Sequence, residues 1–463
     1  MRIVVMGAGS VGFYIVSVLS DEGHDVLVIE KDQDALNYLL AENDVMGILG
    51  DGTDPSLLRE ADVGNADFFI GLANDDEVNI VAGNMAKVFG VGFTIVRARS
   101  PKYQENNSFM KKFMGIDYFL NPEMLAAIEV ELTLDYAMAS SVESFFDGKI
   151  QMIEFTVPSN SKMVGSSLSD LSKDGILKNL LITIVDRDKL IHIPNGDFII
   201  EALDSIHVIG TPNDLRRLYL GEFGNKTDIK SSLLIGASRI AYYLASDLIK
   251  KRFDVKVIEI DEKRARDFHR QVPNAVVIHG DGANSTFLAE ENLEDYDSVI
   301  ALTGIDERNI LIALLAEKAE VKEVVTRVDN KDLLRITGIL DIDVTVTPIK
   351  EAANHILRII RGKLKKSGFS ISSLYLVEDN EVEAVEFKVL EGSTIIGVPI
   401  NIIGVPIKKL NIRDDTIVAF IQKFDTNQVV IPNGDTSISQ NDKVIVVSKK
   451  KAFKEIDDIL VEK

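Results

Sequence analysis

The stretch Arg2–Gly12, RIVVMGAGSVG, sets the fold of this chain. An apolar run, Arg2–Met6, leads straight into Gly7-Ala8-Gly9-Ser10-Val11-Gly12. A helical pattern follows with Ile15, Val16, Val18 and Leu19, and then a second apolar run, Val26–Ile29, ends in Glu30. Strand, glycine turn, helix, strand and acid is the order of a dinucleotide-binding unit. Gly7 permits the tight turn, Gly9 lets backbone approach a pyrophosphate, and Gly12 lets helix and strand pack closely. The helix start offers free N–H groups and a positive dipole end to phosphates. Glu30 stands where a carboxylate can accept hydrogen bonds from a ribose diol.

Working outward, residues 32–41 read as a helix, 45–49 as a third strand, 67–71 as a fourth, 93–98 as a fifth and 117–120 as a sixth. Alternation this dense implies a parallel, doubly wound sheet. Pro122 starts a long helix expected to run to about Ser140. The texture then turns β-rich. Residues 151–157 alternate like an exposed strand, 180–185 are apolar, Ile193-Pro194-Asn195-Gly196-Asp197 is a turn, and 205–209 form another strand.

Near residue 230 the pattern restarts. A strand at 232–235 precedes the turn Gly236-Ala237-Ser238-Arg239-Ile240-Ala241, a helix is expected from Tyr242 to Ile249, and VKVIE at 255–259 repeats VLVIE at 26–30. Gly7 to Gly236 and Glu30 to Glu259 share one offset, 229. Gly280-Asp281-Gly282 answers Gly50-Asp51-Gly52, Asn309 answers Asn79, and Arg327 answers Arg97, all at an offset of 230. Ile431–Asp435 repeats Ile193–Asp197. The expected fold class is α/β, with two Rossmann-like doubly wound parallel-sheet domains, each followed by a small β-rich α+β domain. The expected boundaries are 1–122, a connecting helix 123–142, 143–225, then 230–348, a connecting helix 349–373, and 374–457.

A chain of 463 residues is too long for one core. A net charge of −21 argues against nucleic acid or anionic lipid as a partner. The absence of cysteine removes disulfides and thiol chemistry. No apolar run approaches the length of a membrane span and no signal segment opens the chain, so a cytoplasmic protein is expected.

The chemistry gathers where strand ends meet turns. Glycine turns Gly7–Gly12 and Gly236–Ile240 would hold phosphates. Glu30 and Glu259 would hold ribose. Asp51, Ala73 and Asn74 in one half, and Asp281, Thr303 and Gly304 in the other, could border a base. Arg97 and Arg327 read either as sheet-end ion pairs or as ligand contacts, and Asp51 and Asp281 either as turn caps or as ligand contacts. No positive side chain stands in the first turn and Glu30 repels a 2′-phosphate, so NAD(H) is expected there. In the second turn Ser238 adds atoms where phosphate should approach, while Arg239 could fork onto terminal phosphates, so ADP or ATP is expected. The histidines at 24, 192, 207, 269, 279 and 355 show no metal or catalytic spacing. Neither a GxSxG elbow nor a GxxxxGK[ST] loop is present. No enzyme is expected; the competing reading is an NAD-dependent oxidoreductase with a duplicated cofactor domain. A basic helix end, Arg358 to Lys366, complements a helix C-terminus or docks an acidic partner.

The motifs GAGSVG (7–12), VIEKD (28–32), GDGTD (50–54), ANDDEVN (73–79), IVRARSPKY (95–103) and NPE (121–123), with VIEID (257–261), GDG (280–282) and TRV (326–328), resemble the regulator-of-potassium-conductance (RCK) family over essentially the whole chain. Two tandem copies in one chain are similar to the peripheral regulatory subunits of Trk potassium-uptake systems. The resemblance implies a homo-oligomeric ring, a dimer of dimers, on the inner face of the membrane. It would gate a TrkH-like integral membrane translocation subunit on binding NAD(H) or ADP/ATP, and the helices after Pro122 and Pro348 would carry the coupling.

Overall fold

The structure is a computed structural model that describes residues 1–105, 107–136, 139–146, 148–224, 229–340, 342, 344–363, 370–377, 381–389, 399–400, 413, 415–433, 436–449 and 456–459. The chain divides into two compact units, each drawing on both halves of the sequence: Met1–Glu131 with Lys230–Leu357, and Leu132–Ile229 with Arg358–Lys463.

The first unit holds two parallel-sheet lobes. Lobe one runs β1 (Arg2–Met6), α1 (Ser10–Asp21), β2 (Asp25–Glu30), α2 (Gln33–Glu42), β3 (Met46–Leu49), α3 (Pro55–Glu60), β4 (Phe68–Gly71), α4 (Asp76–Phe89), β5 (Phe93–Arg97), α5 (Pro101–Glu105), α6 (Asn107–Met114), β6 (Tyr118–Leu120) and α7 (Pro122–Asp135). Its strands lie in the order β3-β2-β1-β4-β5-β6. Ile3, Val4 and Val5 are fully buried, as central strands covered on both faces must be. The helix after Pro122 ends at Asp135, short of Ser140, whose N–H already bonds to Glu154 O of the neighbouring strand at 2.9 Å.

The second lobe supplies β12 to β17 once the intervening β-rich module is counted. That module contains β7 (Ser141–Phe145), β8 (Ile150–Thr156), α8 (Leu168–Lys173), β9 (Leu180–Arg187), β10 (Leu190–His192), β11 (Ser205–Gly210) and α9 (Pro212–Phe223), with sheet order β10-β9-β11-β8-β7. Lobe two then runs β12 (Ser231–Ile235), α10 (Arg239–Lys250), β13 (Asp254–Glu259), α11 (Glu262–Gln271), β14 (Val276–His279), α12 (Ser285–Glu290), β15 (Ser298–Ala301), α13 (Asp306–Lys318), β16 (Glu323–Arg327), α14 (Lys331–Ile339), β17 (Val344–Val346) and α15 (Pro348–Lys363). Its order, β14-β13-β12-β15-β16-β17, repeats that of lobe one. Helix α10 starts at Arg239, earlier than the expected Tyr242, because the Ser238 hydroxyl caps it by accepting from Ala241 N–H.

The second module contributes β18 (Ser370–Val377), β19 (Val382–Lys388), β20 (Pro399–Ile400), β21 (Thr416–Gln422), β22 (Val429–Val430), β23 (Thr436–Ser437) and β24 (Lys443–Lys449); its main sheet is antiparallel, in the order β18-β19-β24-β21-β22. Residues 364–366 of the basic cluster and 434–435 of the repeated turn lie outside the described residues. The two modules share one core. Phe145, Phe146, Ile150 and Met152 of the first pack with Val382, Ala384, Phe420 and Ile445 of the second. The partner sheet is why β8 is buried on both faces, where alternation alone suggested one exposed face. Ile153 and Phe155 face the first module's own helices.

Candidate functional site

Each lobe has a sheet switch point, between β1 and β4 or between β12 and β15, where ligands of doubly wound sheets settle. Gly7 turns there with φ +108°, and a Cβ on it would lie 2.9 Å from Ala73 N; Gly236 repeats this with φ +105° and Leu302 O at 2.9 Å. A Cβ on Gly12 would reach within 2.0 Å of Gly7 O, whereas one on Gly9 would meet nothing within 4 Å. The space over Gly9 is therefore open to a ligand. Helix α1 begins there with no side-chain cap, so its first N–H groups are left for an anion. In the second turn the Ser238 hydroxyl folds back onto Ala241 N–H at 3.3 Å, filling part of that role itself. Val11 and Ile240 are 5% and 0% exposed, so only their backbone could serve a ligand, while Ser10 and Arg239 are exposed.

Glu30 and Glu259 both have partners that the sequence does not reveal. Glu30 accepts from Ala8 N–H at 2.6 Å and from the N–H groups of Lys31 and Asp32 at 2.8 and 2.9 Å. Glu259 accepts from Ala237 N–H at 2.8 Å and Asp261 N–H at 2.9 Å, and pairs with Arg264 at 2.9 Å. Each acid thus fixes the glycine turn beside it.

The opposite wall is set by a buried asparagine in each lobe. Asn79, fully buried, accepts from Ala73 N–H and donates to the carbonyls of Ala73 and Arg97. Asn309 makes the same bonds to Thr303 and Arg327. In the sequence these residues registered only as a repeat mark. Asn74 is held through its carbonyl by Arg99, which also pairs with Asp76 at 3.5 Å. The equivalent of Arg99 in lobe two is Asp329, which pairs with Arg327. Arg97 lies 3.7 Å from Glu123 with its side chain 10% exposed; burial lowers its pKa and Glu123 pulls the other way. Asp51 accepts from the N–H and hydroxyl of Thr53, which hold its carboxyl below the usual range, and Asp281 accepts from Ala283 N–H at 3.0 Å. Asp54 caps α3 by accepting from Ser56 N–H.

Lobe two encloses a cleft of about 280 Å³ that brings Gly236, Ala237, Ser238, Glu259, Asp281, Thr303 and Gly304 together. Arg239 and Arg327 are not in its lining, whereas Arg264 and Arg308 are. Arg308 stands 3.9 Å from Asp281. The repeat puts Ala35 and Val78 at those two places in lobe one, so matching the halves passes over both arginines. Among the described residues the lining has no histidine, lysine or tyrosine.

The lobes are joined at the same level. The Tyr243 hydroxyl on α10 accepts from Asn121 Nδ2 at 2.8 Å and donates to Arg99 O at 3.1 Å. Burial pushes that hydroxyl up to about 12, so it stays a donor near neutrality. Lys251 pairs with Glu131 at 2.9 Å. The helix carrying the second glycine turn is thereby tied to the residue preceding Pro122.

The family model of the TrkA-N domain matches residues 3–122 and 232–348, and that of the TrkA-C domain residues 152–220. The Trk system potassium uptake protein TrkA homolog 1 of Methanosarcina mazei is 32% identical over 99% of both chains. The Archaeoglobus fulgidus homolog is 29% identical over 99% of this chain and 100% of its own. Among solved structures, the GsuK RCK domain matches 99% of this chain and 94% of its own with a TM-score of 0.62 at 16% identity. The GsuK channel bound to NAD matches 99% and 78%, with a TM-score of 0.62 at 17% identity, and these likenesses share the fold. No helix among the described residues is long and apolar enough to cross a membrane. By its two TrkA-N domains, its TrkA-C domain and its full-length relatives, the chain belongs to the TrkA family.

Proposed function

We propose that this chain is a nucleotide-sensing regulatory subunit of a potassium-uptake system. It would form a homo-oligomeric ring, a dimer of dimers, on the cytoplasmic side of the membrane, and would gate a TrkH-like translocation subunit. Residues 1–122 and 230–348 are the sensing domains and 143–225 and 374–457 the small domains, linked by the segments that carry α7 and α15. The observation that carries the reading is the duplicated turn-and-acid arrangement, with α1 uncapped and Gly9 open above it. Lobe one takes NAD(H): free helix N–H groups meet the pyrophosphate and Glu30 meets the ribose. Lobe two takes ADP or ATP, whose charge suits a cleft lined by Arg264 and Arg308. Neither cleft is assigned a reaction. A ligand preferring one ring conformation tenfold shifts the balance by only ~1.4 kcal/mol per site, so firm gating needs several coupled sites.

The test is potassium flux in vesicles holding the chain and a TrkH-like subunit, titrated with NADH, ADP and ATP. Nucleotide-dependent flux is expected, with changed dependence in a Glu30→Ala chain. Flux indifferent to every nucleotide, or steady consumption of NADH by the chain alone, would overturn the proposal.

A further inference from the structure

The acid at the end of the second strand keeps different company in the two lobes. Glu30 accepts backbone N–H bonds, and among the described residues no ion pair engages it. Glu259 is also paired with Arg264, which reaches it from the first turn of α11 with 63% of its own side chain open to solvent. Arg264 lines a second hollow as well, a groove of about 220 Å³ bordered by Ser238, Arg239, Tyr242 and Asp267. Arg239 is exposed on that groove, with no ion pair among the described residues. Asp267, the carboxylate there, is paired with Arg270. The repeat puts Ser10 and Ala35 where lobe two has Arg239 and Arg264, so this pair of cations belongs to one lobe.

In a cleft of this type the acid after the second strand holds the ribose diol, and a nearby arginine is what accommodates a phosphate on the 2′-oxygen. The ribose edge of lobe one carries the charge of Glu30. The same edge in lobe two is neutralised by Arg264, and a groove with two guanidinium groups opens next to it. The geometry points to a subsite for a phosphate carried on the adenosine ribose: the second cleft takes adenine nucleotides of the 2′-phosphorylated class, NADP(H) and its fragment 2′,5′-ADP, and the first cleft rejects them. The inference rests on the reading that lobe two binds adenine nucleotides, and adds to it a second phosphate position. The dianion would draw part of Arg264 away from Glu259 and meet Arg239 at the start of α10, two forked, charge-assisted contacts. Glu259 keeps its bonds from Ala237 and Asp261 throughout. Pro101 of lobe one also borders the groove, so an occupant would be felt by both lobes.

Calorimetry on the full chain with 2′,5′-ADP and 5′-ADP as probes tests this. The wild-type chain is expected to bind 2′,5′-ADP about tenfold tighter, equivalent to ~1.4 kcal/mol. Arg264→Gln should abolish that preference, weakening 2′,5′-ADP about tenfold more than it weakens 5′-ADP. Arg239→Gln should narrow it, and circular dichroism checks that both variants are folded. Equal affinities in the wild-type chain, or a preference that survives Arg264→Gln, overturns the subsite and leaves the adenine-nucleotide reading standing. Failure of the wild-type chain to bind either probe overturns both.

Discussion

The three glycines of the first turn do different work, and substitution should separate them. Gly12→Ala places a Cβ 2.0 Å from Gly7 O, a backbone clash that packing cannot absorb, and should cost about 1–3 kcal/mol. Gly9→Ala meets nothing within 4 Å and has φ −65°, which alanine adopts freely, so stability should change by under ~1 kcal/mol. It should weaken NADH binding, because the added methyl occupies the ligand's side of the turn. Thermal melts and NADH titration of the two variants read the contrast; equal loss of stability would refute this division of roles. The leading glycine and the acids could be read from sequence because the chain states them twice, Gly7 with Gly236 and Glu30 with Glu259. Arg264 and Arg308 could not, since a repeat reveals only what both halves keep, and Ala35 and Val78 stand opposite them. The partners of Glu30 were equally hidden: backbone N–H groups have no signature in a sequence.

Asp297 accepts from Lys230 N–H and Ser231 N–H and pairs with Lys322. Burial alone would raise its pKa, but these donors outweigh burial and lower it. A carboxyl lowered on folding stabilises the protein above its unfolded pKa of ~3.9, and that contribution fades as pH falls through the lower, folded value. Asp297→Asn should therefore be less stable by about 1–3 kcal/mol near pH 7, with the gap closing as pH falls below ~4. Denaturant midpoints at the two pH values measure it; a gap that widens in acid would contradict the sign.

At the scale of elements, α10 is the piece that both lobes use. Its first turn carries Ser238 and Arg239, and a turn further on Tyr243 bonds to Asn121 and Arg99 O, next to the start of α7. A ligand that shifts the N-terminus of α10 pushes on that knot. Tyr243→Phe keeps the ring and removes one of the partners of Asn121 Nδ2 and of Arg99 O, which stay bonded to each other at 3.4 Å, at about 0.5–1.5 kcal/mol. If the knot transmits the signal, NADH affinity should respond less to ATP in Tyr243→Phe than in wild type, while each ligand alone binds nearly as before. Unchanged coupling would place the route elsewhere. Sequence patterning located most strands and helices of the lobes because buried parallel strands are continuous apolar runs. It missed β7, Ser-Val-Glu-Ser-Phe, whose composition carries no apolar run, and so drew the preceding helix too long.

At the scale of the molecule, tandem duplication has produced an internal dimer: lobe joins lobe and module joins module. No local pattern announces this, because each module's apolar strands are equally consistent with packing on its own helices. Phe146 lies in the shared core. It is fully buried with φ +50°, a left-handed conformation that costs a bulky residue energy, and its N–H is held by Glu386 Oε2 at 2.8 Å from the other module. Lys443 completes the ion pair with Glu386 at 3.0 Å, and the Tyr375 ring meets Phe145 at 4.8 Å. A core shared across more than two hundred residues of chain should open as one. Phe146→Ala is expected to cost about 3–5 kcal/mol. The loss should appear equally in amide protection of β8 in the first module and of β19 and β24 in the second. Hydrogen exchange resolved by segment would decide it: protection lost in β8 but retained in β19 and β24 would mean that the modules are stable separately and merely touch.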